Sequence, residues 1–189
     1  PRWGSGGAVD LINQWVYAVP EPMSVAGPCE EMFAMAAGRP GQQVSIMTQL
    51  ICYRSQIAPT NKVVSPAPAW LARRPRADFP TIPPDSLQEA TWAMIAKPVQ
   101  AIMYHGWGTI YETGVDHGYV YTNPESAQRL RTLLKDVVAP LGPTLKRLGR
   151  APSAVAVLES FTTCAMGGPA SWGWKAPAIT FLQRARLDP

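Results

Sequence analysis

Cysteine is scarce in this chain and does not cluster. Cys29, Cys52 and Cys164 are the only three in 189 residues. No two form a CxxC pair, and neither histidine, His105 nor His117, stands at metal-ligand spacing from them. A disulfide framework and a zinc site are excluded, no metal or cofactor is implied, and the thiols are expected to be buried as small apolar groups. Long apolar runs are missing as well: none approaches the ~18 residues of a membrane span, so no membrane partner is expected. Charge is sparse, 16% of residues, with a net +4 and a pI of about 9.2. A basic balance attracts polyanions. The cations are scattered, however, with Arg73, Arg74 and Arg76 in one stretch and Arg129, Arg131, Lys135, Lys146, Arg147 and Arg150 around one helix. No recognition motif accompanies them, and no nucleic-acid partner is expected. The first residues, PRWGSGG, carry neither an initiator Met nor a charged-then-apolar leader pattern. The expectation is a piece of a longer protein, with its compartment unassigned.

What is present is a 47% hydrophobic chain with twenty prolines, about double the usual share. That combination implies a real core joined by stiffened loops. The run Lys97–Glu112 organises the rest. Val99 to Tyr104 is almost wholly apolar, too short for an ordinary helix, and breaks into His105, Gly106, Trp107 and Gly108. It reads as a strand buried on both faces, with a loop at its carboxyl end where ligands gather in parallel α/β proteins.

In chain order, Val9–Val19 reads as a strand stopped by Pro20. Gly27-Pro28 opens a helix with Glu30 and Glu31 as helix-start residues, and Gly38 and Pro40 end it. Val44–Cys52 is a second buried strand. Tyr53 to Pro84, proline-rich and aperiodic, reads as a long loop and, leaving a strand's end, as an active-site loop. Asp85 is expected to cap a helix whose packing face holds Leu87, Thr91, Met94 and Ile95. Asn123-Pro124-Glu125 starts another, striped by Leu130, Leu134, Val137 and Leu141 and fading through Pro140 and Pro143. Ser153–Glu159 is expected to be a further buried strand. The order β-α-β-α-β-α-β implies parallel strands with right-handed crossovers, an α/β architecture.

Several stretches resemble, in order, the carboxyl-terminal part of clan-A glycoside hydrolases, above all the β-galactosidases of glycoside hydrolase family forty-two and uncharacterised bacterial relatives. Val44-Ser45-Ile46-Met47-Thr48-Gln49 looks like the seventh barrel strand. Leu87 to Ala96 looks like the helix after it. Ala101-Ile102-Met103-Tyr104-His105-Gly106-Trp107 looks like the eighth strand, ending in the tryptophan that lines the sugar site. Ala154 to Leu158 looks like the first strand of the following amidotransferase-like domain. The resemblance implies about the last three β/α units of a (β/α)8 TIM barrel over residues 1–150 and the start of a second α/β domain over 151–189. A barrel needs roughly 250 residues, which agrees with a fragment. It also implies a saccharide substrate and a parent that forms a homo-oligomer.

Two departures bear on activity. A retaining glycosidase needs two carboxyl groups ~5–5.5 Å apart. The family's acid/base strand has no counterpart here, and its nucleophile position reads Thr48-Gln49. Glu112 and Glu21 are the substitute catalytic candidates. Trp107, His105, Tyr53, Arg54 and Gln49 are the candidates for binding a sugar's apolar face and hydroxyls. Asp116 and His117 are too few ligands to claim a cation. The expectation is a glycoside hydrolase-like fragment acting on β-linked saccharides and not competent alone. The alternatives are a non-catalytic carbohydrate-binding barrel and an independent α/β domain.

Overall fold

A computed structural model describes residues 9–57, 68–148, 154–158, 160–168, 175–185 and 187. Three parallel strands lie in sequence order: β1 (Leu11–Val16), β2 (Gln43–Gln49) and a third, Ala101–His105. Between β1 and β2 run a 3-10 turn (Pro22–Val25) and α1 (Ala26–Ala36). Between β2 and the third strand come the short helices α2 (Arg54–Ile57) and α3 (Ala69–Ala72), a two-residue strand β3 (Phe79–Pro80), and α4 (Pro84–Ile95). The third large strand is therefore β4. Beyond it β5 (Tyr119–Val120) pairs in parallel with β3. Then α5 (Pro124–Thr132), a π-helical stretch (Leu133–Val138) and α6 (Ala139–Leu148) follow one another without a break. Helices α7 (Phe161–Met166) and α8 (Lys175–Arg184) complete the described elements. The protein is thus mixed α/β with a small parallel sheet, and the described strands close no barrel.

The alternation of side chains along paired strands separates the sheet into two unlike faces. One carries Ile12, Val16, Val44, Ile46, Ile102 and Tyr104. These pack with Cys29 and Met32 of α1, Leu87, Ala90 and Met94 of α4, and Leu130 of α5 into a single core. The other face carries Leu11, Asn13, Trp15, Ser45, Met47, Gln49, Met103 and His105. On it Leu11, Trp15 and Met103 are each more than two-fifths exposed.

This placement corrects several expectations. The strand after Lys97 is a half-buried edge, and β2 is the central, most buried strand. An apolar run records how much oil a strand carries, not how many neighbours it finds. Pro83, not Asp85, holds the cap position of α4. Pro84 is the first helical residue, a place its fixed φ suits, and Asp85 falls in the first turn. Helix α1 starts at Ala26, which moves Glu30 out of the first turn and into a buried ion pair with Lys97 at 2.7 Å. The helix after Asn123 does not fade at Pro140 but runs on to Leu148. A π-helical stretch, Leu133–Val138, directly precedes α6, which holds Pro143 in its interior. Ala154–Leu158 joins no sheet, and Leu158 is 87% exposed; Ser153 and Glu159 lie outside the described residues. Apolar composition cannot supply a partner strand. The proline-rich stretch after Tyr53 holds α2, α3 and β3, with residues 58–67 outside the described part. Cys29 and Cys52 are free and buried, and desolvation pushes both thiols up to about 12. The side chain of Cys164 lies outside the described part.

Candidate functional site

The open face of the sheet rises, at the carboxyl ends of its strands, into a closed circuit of six aromatic rings. Trp15 stacks on Tyr17 at 5.7 Å between centroids, and Tyr17 meets Tyr53 at 5.5 Å. Tyr53 meets Phe79 at 5.2 Å, and Phe79 meets Tyr119 edge-on at 5.3 Å. Tyr119 meets His105 edge-on at 5.7 Å, and His105 returns to Trp15 at 5.2 Å. Tilted and edge-on geometries of this kind are those that ring quadrupoles favour. Trp15 is 50% exposed, Tyr119 39% and Tyr53 37%, so the circuit presents aromatic surface to solvent while its members hold one another.

Each ring has a local cause. Trp15 and Tyr17 are two apart at the end of β1 and so share a face. Tyr53 follows β2, and His105 ends β4. Phe79 and Tyr119 are directly paired across the small β3–β5 ladder. That ladder is pinned by three buried threonines. The Thr81 hydroxyl donates to the Thr109 carbonyl at 2.6 Å and accepts from the Thr122 and Asn123 backbone N–H groups. The Thr122 hydroxyl accepts from the Thr81 N–H, and the Thr109 hydroxyl donates to the Leu50 carbonyl at 2.8 Å. The loops carrying Phe79 and Tyr119 are thereby tied to the end of β2.

Beneath the rings sits Gln49, fully buried, beside His105 in the β2–β4 register. Its side-chain oxygen lies 3.1 Å from His105 Nδ1. Its amide nitrogen is buried with no hydrogen-bond partner among the described residues. The Tyr17 and Tyr53 hydroxyls meet at 3.1 Å, and that hydrogen bond, with some burial, raises Tyr17 to about 12. All hydrogen-bonding groups in this cluster are neutral amides, phenols or an imidazole.

Of the residues singled out from sequence, Gln49, His105 and Tyr53 are brought together here. Trp107 stands on the 3-10 turn just past β4, 49% exposed, and makes none of the ring contacts described. Arg54 starts α2 and donates to the Arg74 carbonyl at 3.2 Å, bracing the loop. Glu112 is exposed and paired with Arg74 at 3.3 Å. Glu21 pairs with Arg184 of α8. No hydrogen bond or ion pair joins the two glutamates among the described residues. Asp116 is paired with His117 at 3.1 Å and lies 3.7 Å from Arg76, and the His117 contact holds its carboxyl below the usual range. The described residues contain no group of three metal-ligating side chains. No described helix is long and apolar enough to cross a membrane.

Trp15, Tyr17, Phe79 and Tyr119 escaped the sequence reading. The spacing of Trp15 and Tyr17 was a usable signal. For Phe79 and Tyr119, separated by forty residues of loop and helix, no local pattern marks the pairing. Compared with protein-family models, with curated proteins and with solved structures, the chain matches none.

Proposed function

We propose that this chain binds a neutral, β-linked saccharide on its aromatic circuit, as part of a (β/α)8-type barrel, and does not hydrolyse the sugar with its own described residues. The closed ring of Trp15, Tyr17, Tyr53, Phe79, Tyr119 and His105 around a buried amide carries this reading. Pyranose rings offer an apolar face to aromatic carbons and a girdle of hydroxyls to amide and imidazole groups, and both kinds of partner stand together here. Retaining hydrolysis asks for two carboxyl groups ~5–5.5 Å apart. Glu21 and Glu112 are instead engaged by different arginines.

The barrel half of the reading is supported by the way the sheet is wound. Strand order follows chain order, all three strands are parallel, and the core helices pack on a single face. Successive crossovers that keep one direction curl a sheet toward closure; reversal of direction would place helices on both faces. An apolar groove of about 420 Å³ runs along the edge of β4, lined by Val99, Ile102, Tyr104, Leu134 and Val138. It is the side on which a further β/α unit would pack. A second reading, a barrel segment of a hydrolytic parent on β-linked saccharides, is favoured by the same winding, the missing carboxylate then coming from elsewhere in that parent.

The test is titration with lactose, cellobiose and β-linked tetrasaccharides, followed by tryptophan fluorescence and by reducing-sugar release. Saturable quenching that Trp15→Ala abolishes, with no sugar released, is the expected outcome. Absence of binding across the panel overturns the saccharide reading. Hydrolysis by the isolated chain that Glu112→Gln or Glu21→Gln removes overturns its non-hydrolytic part.

A further inference from the structure

We infer that Gln49 is a positioning residue that locks His105 in the Nδ1–H tautomer, so that the ring's Nε2 is a hydrogen-bond acceptor reserved for a ligand hydroxyl. The inference rests on the saccharide reading above and names the group by which that site tells a hydroxyl from other polar atoms.

The chemistry follows from the atoms involved. An amide oxygen can only accept. The Gln49 oxygen, 3.1 Å from His105 Nδ1, is matched by a neutral imidazole that carries its proton on Nδ1. Nε2 is then left with a lone pair and no proton. That atom has no hydrogen bond to the protein among the described residues, and the imidazole is half-buried between Trp15 and Tyr119. An alcohol on a saturated ring can donate in the plane of such a ring while its carbon skeleton lies against an indole. An anion would meet the Nε2 lone pair with another lone pair, which sets a carboxylate or phosphate at a disadvantage.

Gln49 itself gives the second observation. It is wholly buried, yet its amide nitrogen has no partner among the described residues. A buried donor without a partner is destabilising. An apolar side chain of similar shape, such as the neighbouring Met47 and Met103 on the same face, would avoid that penalty. The one side-chain hydrogen bond of this buried amide is to His105, which makes it a device for orienting the imidazole. The side chain does not need to touch the ligand to set what the ligand sees.

The test reads the tautomer directly, using the chain with 15N-labelled histidine at pH 8. Long-range proton–nitrogen NMR distinguishes protonated from unprotonated ring nitrogens. Wild-type His105 is expected as Nδ1–H. Gln49→Met should release it to a mixture or to Nε2–H, with a cooperative melt retained. Gln49→Glu, which keeps an acceptor oxygen, should restore Nδ1–H. In the saccharide titration, Gln49→Met should weaken binding about tenfold, the worth of one hydrogen bond, and His105 Nε2 should shift on adding sugar. Wild-type His105 found as Nε2–H would overturn the inference, since the amide would then be turned over. Unchanged saccharide affinity in a folded Gln49→Met chain would overturn it equally. A correct tautomer with no saccharide response would strike the saccharide reading and the assigned hydroxyl, leaving the orienting role of Gln49 standing.

Discussion

The hydroxyls of Tyr17 and Tyr53 meet at 3.1 Å where the chains leaving β1 and β2 run side by side. This contact is local evidence that the carboxyl ends of the two strands are held in register beyond their last ladder pair. It raises Tyr17 to about 12. The folded chain therefore holds that phenol proton more tightly than the unfolded chain does. The stabilisation is complete below the ordinary tyrosine value of ~10 and is lost as pH rises through about 12. Carbon NMR of labelled tyrosine should show Tyr17 ionising late. Tyr53→Phe should bring it back toward the ordinary range; an unmoved titration would show that the two hydroxyls do not pair.

Gly106 is the second point at which the rim is set. Its φ of 89° lies in the left-handed region, and a Cβ there would stand 2.8 Å from Ile51 Cγ2. Gly106→Ala is expected to destabilise by ~1–3 kcal/mol in a denaturant melt. It should also perturb the Trp107 emission, because Gly106 caps the 3-10 turn that carries that indole. A variant as stable as the parent would mean that the turn has another conformation.

Thr81 joins three backbone groups that would otherwise be buried without partners. Thr81→Val keeps the shape and removes the hydroxyl. A loss of ~2–4 kcal/mol is expected, above that of a single neutral hydrogen bond, because several buried groups lose their partner at once. Amide hydrogen exchange should rise at Thr122 and Asn123 while the β1–β2 ladder stays protected. Uniform loss of protection would place Thr81 in the global core instead of the loop anchor.

Lys97 and Glu30 form an ion pair with side chains only 8% and 10% exposed. Lys97→Met leaves a buried carboxylate without its ammonium, for which ~3–5 kcal/mol of destabilisation is expected. The double variant Lys97→Met with Glu30→Gln should recover part of it. A single variant with unchanged stability would show the carboxylate to be well solvated.

Much of the frame was legible in the sequence because it is set by short-range physics. Gly and Pro punctuation placed the helices now seen as α1, α4 and α5. Asn123 accepts from the Glu125 N–H as its residue type and position predict. The pairing of Gln49 with His105 was within reach, since two parallel strands ending in polar residues bring such groups level. The errors arose where the answer depends on what lies alongside. The run at Val99–Tyr104 could not reveal that it would be an edge, nor Ala154–Leu158 that it would find no partner strand.

By itself, then, the sequence determined the parallel α/β alternation of the three paired strands and the apolar stripes of α4 and α5, because each follows from residues a few positions apart. Only the tertiary structure decided that Phe79 and Tyr119 would complete a ring begun at Trp15 and Tyr17. It also set Glu21 and Glu112 against separate arginines. Contacts between residues dozens of positions apart depend on strand register and loop anchoring, and no local pattern of side chains encodes those.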